Sequence, residues 1–518
     1  MAAPNAGDSQ DLHPQDSVND PTLHSSFLWS WWNPTNQAKA RQSQDQLLSR
    51  LQFFTSHLGG SSSPQAVASV AQNSANPSAL PNAPPASVSA STTNQATHQT
   101  HSKNAVIRLV DISRDPQFKG CYINTLVIDD ASPGKVSTPS TPPRLLSELN
   151  AELQDKGPDP TSHPSPIARA ESKVSITDFQ DAAAAPDTDT TPPPAAGSQP
   201  ITTAAGGRLV AKYQKAVFAG TPETQEKRTF VMAHGYGAAL GFFYRNFYGL
   251  SLLDGYRIMA FDWLGMGNSS RPPFPKNNDP QKAEQWFVDS LEAWRQASNI
   301  DKMVLCGHSL GGYLSAAYAL QHPDRVSKLI LVSPVGVPPL PPEFQLPGWI
   351  RTLWSWNFTP HGIRYTDRRF NFLDDADGKD MKQYLYHTMA LRGSGEYALG
   401  SILLPGAFAK RPLADRLAGL KVPCTFVYGS HDWMDYRHAL GVADSIPGLV
   451  KIVRVPEAGH HLYLDNPPAF NEVILAEMLE EKGVKVKRED LSKGVRVWNK
   501  GEPESLLGVS GDERRMGW

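Results

Sequence analysis

Between Arg228 and Glu481 the chain alternates short apolar runs with helical stretches. Thr229–Ala233, Arg257–Phe261, Met303–Cys306, Leu329–Val332, Cys424–Tyr428 and Ile452–Val455 read as buried strands. Asp279–Asn299, Leu310–Gln321, Tyr436–Ser445 and Pro467–Glu481 read as helices. Few architectures satisfy strand–helix alternation at this spacing. It predicts an α/β fold, a mostly parallel sheet with helices on both faces. One long segment, from Gly336 to about Leu420, breaks the alternation, and the six prolines from Pro334 to Pro347 mark its entry. An excursion from the carboxyl end of a strand is where a cap over a site sits. Residues 336–420 are therefore expected to form a helical cap inserted before the strand at Cys424.

Proline also separates the first part of the chain from the rest. Residues 1–206 hold 23 of the 44 prolines. Two polar, small-residue tracts, 59–104 and 131–207, lack the large apolar side chains that would offset the cost of ordering a backbone. They read as a disordered linker and a disordered insertion. Between them, 105–130 carries two β-branched runs, Val106–Val110 and Tyr122–Ile128, expected as edge strands of the sheet. Arg208–Phe218 gives a further strand signal. The other expected units are an amino-terminal segment over 1–58, core over 208–335 and 421–484, and a tail over 485–518.

The formal net charge of −2 argues against a nucleic-acid partner, which calls for a basic surplus. Cys121, Cys306 and Cys424 supply neither a disulfide framework nor a cysteine metal site, so a reducing compartment is expected. No run of 18 apolar residues predicts a membrane span. The first twenty residues hold Asp8, Asp11, Asp16 and Asp20 and no Lys or Arg, unlike a secretory signal or a mitochondrial presequence.

Val304-Leu-Cys-Gly-His-Ser-Leu-Gly-Gly312 contains Gly307-x-Ser309-x-Gly311 between an apolar strand and an Ala-rich helix. That context makes the motif a nucleophile elbow. Ser309 would sit on a strained turn with its Oγ exposed, and Gly307 and Gly311 would let the backbones approach. A serine nucleophile needs a base and an orienting acid, which here should follow later strands in the order acid, then histidine. After the strand at Cys424 comes Gly429-Ser-His-Asp432-Trp-Met-Asp435, and after the strand at Ile452 comes Pro456-Glu-Ala-Gly-His460-His461. His460 is expected as the base, with His461 its rival, since adjacent side chains point apart. Asp432 is expected as the acid, with Asp435 the alternative. An oxyanion hole needs two N–H donors. Leu310, just after the nucleophile, and Tyr236, in the loop His234-Gly-Tyr-Gly-Ala238, are the expected donors. His234 and His308 read as structural. Neither a metal nor a cofactor is expected.

These residues together resemble the α/β-hydrolase fold. The likeness narrows through His234-Gly-Tyr-Gly-Ala-Ala-Leu-Gly-Phe-Phe243, Phe261-Asp-Trp-Leu-Gly-Met-Gly-Asn-Ser-Ser-Arg-Pro272, Phe287-Val-Asp-Ser-Leu-Glu-Ala-Trp294, Ser394-Gly-Glu396 with Ala409-Lys-Arg-Pro412, and Gly459-His-His-Leu-Tyr-Leu-Asp465. Over about 228–480 the chain is similar to the α/β-hydrolase domain-containing 4 and 5 group. That group includes N-acylphospholipid lipases, a lipase coactivator, lysophosphatidic acid acyltransferases and mitochondrial cardiolipin-specific deacylases. The coactivator branch has asparagine where this chain has Ser309, so the resemblance implies a catalytic member. Asp432-Trp433-Met434 looks most like the cardiolipin deacylase branch, whereas the mammalian lipase and coactivator members place their acid at the Asp435 position. The group's H-x-x-x-x-D pattern fits His460 to Asp465 and is associated with acyl transfer. Asp465 before Asn466-Pro467-Pro468 reads instead as a helix N-cap.

The resemblance extends to the amino terminus through Phe27-Leu-Trp-Ser-Trp-Trp-Asn-Pro34, which places Trp29, Trp31 and Trp32 together ahead of a helical stretch, Gln37–Leu58. Tryptophan suits a bilayer interface, so a membrane or lipid-droplet contact is expected there; the competing reading is a helix packed on the body. In the cap, Trp349, Trp354, Trp356 and Phe358 would line an acyl channel or meet lipid, and Arg364, Arg368, Arg369 and Arg392 would meet phosphates. The expectation is a serine lipid hydrolase that deacylates a phospholipid, cardiolipin first, at an intracellular membrane. The resemblance implies a mitochondrial location, with lipid droplet or cytoplasm as alternatives. The competing functions are a lysophosphatidic acid acyltransferase and a non-catalytic lipase coactivator.

Overall fold

The computed structural model describes residues 35–51, 54–55, 103–130, 207–217, 227–275, 279–342 and 375–508. Ten strands form one sheet: β1 (Phe54–Thr55), β2 (Lys103–Asp111), β3 (Tyr122–Asp130), β4 (Arg228–Ala233), β5 (Tyr256–Phe261), β6 (Met303–His308), β7 (Val326–Val332), β8 (Cys424–Gly429), β9 (Val450–Val455) and β10 (Arg496–Asn499). Their order is β1-β2-β3-β5-β4-β6-β7-β8-β9-β10. The run from β5 to β9 is parallel throughout. β3 joins it antiparallel to β5, and β10 closes the far side antiparallel to β9. This is the α/β hydrolase architecture, a mostly parallel sheet with helices.

The central strands are apolar on both faces because helices cover both. On one side Val231, Leu305, Leu329 and Phe426 pack with Trp294, Leu291 and Leu314; on the other Phe230, Met232, Val304 and Ile330 pack with Phe470, Ile474 and Phe247. The longer helices among the described residues are α1 (Gln37–Leu48), α2 (Gly207–Val217), α3 (Tyr244–Ser251), α4 (Pro280–Ala297), α5 (Leu310–Gln321), α6 (Asp375–Met389), α7 (Arg437–Ala443) and α8 (Pro467–Glu481). Their starts follow from local chemistry. Asp279 accepts the Gln281 and Lys282 N–H groups ahead of Pro280, which has no N–H to lose. The chain moves from β4 outward to β5, then back across β4 to β6. That reversal opens a crevice at the carboxyl ends of β4 and β6, where an α/β sheet presents its ligands.

Several expectations change. Residues 208–217, expected within a strand over 208–218, form part of α2, because Leu209, Val210 and Tyr213 share a helical face directed at the body while Lys212 and Tyr213 both reach Asp490. The tail carries a strand, β10, whose Val497 and Trp498 are buried. α1 ends at Leu48, not Leu58, and its apolar face is used in packing. Ala40, Ser43, Gln44, Leu47 and Leu48 are buried at helical spacing, and the Gln44 side chain accepts from Asn124 and Asn268. Arg50 pairs with Asp377 and Asp380 of α6. This helix is therefore the packed alternative. Trp29, Trp31 and Trp32, the tracts 59–102 and 131–206, and the cap residues Trp349, Trp354, Trp356, Phe358, Arg364, Arg368 and Arg369 lie outside the described residues. No described helix is long and apolar enough to cross a membrane.

The packing of α1 has a measurable consequence. Leu47→Ala should destabilise the lipid-free protein by about 2–5 kcal/mol, the usual cost of truncating a fully buried leucine. A thermal melt checks it, and an unchanged midpoint would mean that this face does not pack as described.

Candidate active site

Ser309 lies between β6 and α5 with φ 53° and ψ −117°. Three backbone bonds hold it: its N–H donates to the Val332 carbonyl, and its own carbonyl accepts from Tyr313 and Val335. The flanking glycines are steric necessities. A Cβ on Gly307 would lie 2.4 Å from the Gly311 oxygen, and one on Gly311 would lie 2.3 Å from the His234 oxygen. Leu310 is the first residue of α5, where a backbone N–H has no carbonyl within its own helix.

The loop after β4 comes close to the same serine. A Cβ on Gly235 would sit 3.0 Å from the Ser309 Cβ. Its neighbour His234 is fully buried, and burial lowers its pKa, favouring the neutral ring. That ring accepts the Trp263 N–H at Nε2 and therefore donates from Nδ1 to the Gly235 carbonyl. The Trp263 indole N–H donates to the His234 carbonyl. Asp262 fixes the same region by accepting the N–H groups of Leu240 and Asn268 and the Asn124 amide. His234 is thus a brace. Tyr236 is half-buried and lines a cavity of about 200 Å³ with Met266, Thr388, Met389, Leu391 and Glu396.

The two later loops complete the site. His460 Nε2 lies 3.1 Å from Ser309 Oγ, and His460 Nδ1 lies 3.2 Å from Asp432 Oδ1. Asp432 also accepts the Met434 N–H at Oδ1 and the Ser333 hydroxyl at Oδ2. Asp435 turns away. Burial alone would raise its pKa, but the adjoining Arg437 side chain and N–H hold it below the usual carboxylate range. His461 packs with Phe242, His308 and Tyr463. Ser309, His460 and Asp432 are therefore brought together, and Asp435 and His461 are directed elsewhere. Asp465 is not the cap of α8: Asn466 accepts the Ala469 N–H, while Asp465 turns back to accept the Gly459 N–H at 2.9 Å.

Two contributors, Ser333 and Trp433, were not anticipated, and a third, His308, has the structural role expected of it. Ser333, from the loop after β7, supplies a hydroxyl donor to Asp432 beside the Met434 N–H and His460. Trp433 lies beside the His460 ring at 5.2 Å while half exposed. His308 reaches the His460 carbonyl. The only signal for Ser333 was its place directly after an apolar strand, which does not specify a partner nearly a hundred residues later.

Comparison with known proteins agrees with this fold. Residues 228–467 match a family model described as alpha/beta hydrolase fold. A probable 1-acylglycerol-3-phosphate O-acyltransferase of Oryza sativa subsp. japonica is 40% identical over 48% of this chain and 66% of its own length. The chain thus spans just under two thirds of that relative. The 1-acylglycerol-3-phosphate O-acyltransferase ABHD5 of Rattus norvegicus is 36% identical over 48% of this chain and 76% of its own. A (lyso)-N-acylphosphatidylethanolamine lipase of Bos taurus is 34% identical over 49% of this chain and 80% of its own. With a strained serine between β6 and α5, a parallel sheet reversing at β4 and relatives matched over most of their length, the chain belongs to the α/β hydrolase fold family.

Proposed function

We propose that this protein is a serine hydrolase that removes a fatty acyl chain from a phospholipid, releasing a lyso-lipid and a fatty acid. The observation that carries the reading is the hydrogen-bonded series Ser309–His460–Asp432. Ser309 Oγ attacks the ester carbonyl and gives its proton to His460 Nε2. The N–H groups of Leu310 and Tyr236 receive the developing oxyanion. Collapse expels the lyso-lipid alkoxide, which takes the proton from His460. Water then gives a proton to the same nitrogen and attacks the acyl-serine; the acyl–Oγ bond breaks, Ser309 Oγ takes the proton back from His460, and the fatty acid leaves. Asp432 holds the His460 ring in the tautomer with Nδ1–H and stabilises the imidazolium.

The lipid substrate class is supported by relatives named for lysophospholipid acyl transfer and for N-acylphosphatidylethanolamine lipolysis. Cardiolipin is the proposed substrate within that class, and an intracellular membrane, the mitochondrion first, the proposed location; both rest on the resemblance through Asp432-Trp433-Met434. A second reading is favoured by the 40% identical relative named as an O-acyltransferase. It needs only one change, since a lysophosphatidic acid hydroxyl can replace water as the second nucleophile.

Product analysis against a panel of phospholipids tests the first reading. It expects lyso-lipid and free fatty acid, lost by about 10⁶-fold in Ser309→Ala with vesicle binding retained. Turnover surviving in that variant would remove Ser309 from the reaction. Phosphatidic acid formed from acyl-CoA and lysophosphatidic acid would establish the second reading. Among the carboxylates, Asp432→Asn should lower kcat by about 10⁴-fold, while Asp435→Asn should leave it within about ten-fold of wild type; the reverse order would reassign the acid.

A further inference from the structure

We propose that His308 is a positioning residue that ties the base-bearing loop to the nucleophile elbow and the oxyanion loop. The proposal rests on the serine-hydrolase reading of Ser309 and His460. His308 is the last residue of β6, adjacent to Ser309, and its side chain is buried. Its Nε2 lies 2.9 Å from the carbonyl oxygen of His460, across 152 residues of chain. A carbonyl has no proton to give, so the ring proton is on Nε2 and the imidazole donates. In the neutral ring Nδ1 is then an acceptor. It faces the Tyr463 hydroxyl at 3.4 Å, which can donate to it. The neutral ring therefore suits both contacts, and it leaves His460 without a second cation beside it when His460 itself becomes protonated.

The same ring reaches the third loop of the site. A Cβ at Gly235 would lie 3.1 Å from His308 Nδ1. One side chain thus lies beside the loop bearing Tyr236, bonds to the loop bearing His460, and adjoins Ser309 along the chain. The His460 loop is held from both sides of its reacting residue: Asp465 accepts the Gly459 N–H, and His308 donates to the His460 carbonyl. With the backbone fixed at both points, the imidazole swings about few remaining bonds. The 3.1 Å approach of Nε2 to Oγ is then set by the backbone rather than by contact with a substrate. Proton transfer depends steeply on such placement, and a displacement of about 1 Å lowers a rate by about 10²-fold.

The test uses the purified full-length chain and steady-state hydrolysis of a p-nitrophenyl acyl ester. His308→Leu fills the space but has no donor. His308→Gln carries a donor nitrogen the same number of bonds from Cβ as the histidine Nε2. His308→Asn is polar but too short to reach the His460 carbonyl. The proposal expects kcat to fall about 10²-fold in His308→Leu and His308→Asn with KM within about two-fold, and His308→Gln to recover to within about ten-fold of wild type. A general packing defect would not be rescued by glutamine in this order. Wild-type kcat in the Leu and Asn variants, or a Gln variant as impaired as Leu, overturns the positioning role. If Leu fails to fold by circular dichroism, the Asn–Gln comparison alone decides. No turnover in wild type, or turnover retained in Ser309→Ala, refutes the serine-hydrolase reading instead, so the two failures are told apart.

Discussion

The backbone at Ser309, with φ 53° and ψ −117°, occupies a region that a residue with a side chain adopts at a cost of about 1–3 kcal/mol. Such a conformation persists only where neighbours determine it. Here β6 is paired on both sides, Gly307 opposite Ala233 of β4 and His308 opposite Val332 of β7. The elbow is therefore the end of a strand that cannot move without disturbing two others. Gly311 rests against the carbonyls of Ala233 and His234, which ties the start of α5 to the end of β4. The sheet, the serine and the loop after β4 are consequently one mechanical unit.

Around that unit the polar groups are arranged by satisfaction of buried donors and acceptors. Asp432 accepts from Ser333, Met434 and His460 and is almost fully buried, so its charge is balanced by donors rather than by water. Ser333 itself has a positive φ of 45° and donates its N–H to Val427, which fixes the hydroxyl between β7 and β8. Asp435, three residues further along, has its own guanidinium partner in Arg437. Two carboxylates in one loop thus acquire different tasks from the donors around them. Asp465 follows the same rule. Its distance in sequence from His460 suits a motif, yet its visible use is to hold the Gly459 N–H.

What could be read in the sequence was what depends on neighbours in the chain. The elbow, its two glycines, and an acid and a histidine after successive late strands are local patterns. Asp432 over Asp435 and His460 over His461 were expected, but the groups that enforce the choice were not legible: Ser333, Phe242 and Tyr463 are brought there by tertiary structure, and Arg437 takes Asp435. Residues 208–218 look like a strand because their apolar residues are β-branched or aromatic in part. Residues 208–217 become helix because a face of α8 is available to cover Leu209 and Val210. β10 escaped notice because four residues, Arg-Val-Trp-Asn, carry too little periodicity; pairing with β9 supplies the order. The cap of α8 moved by one residue, from Asp465 to Asn466, since the aspartate is drawn back by the glycine before His460.

The proposed activation of Ser309 by His460 is tested by peptide mapping by mass spectrometry after treatment of the folded protein with a fluorophosphonate. A stoichiometric phosphonyl adduct is expected on the peptide containing Ser309, absent after heat denaturation and absent in His460→Ala. An intact protein that forms no adduct at Ser309, or carries it on another residue, would contradict it.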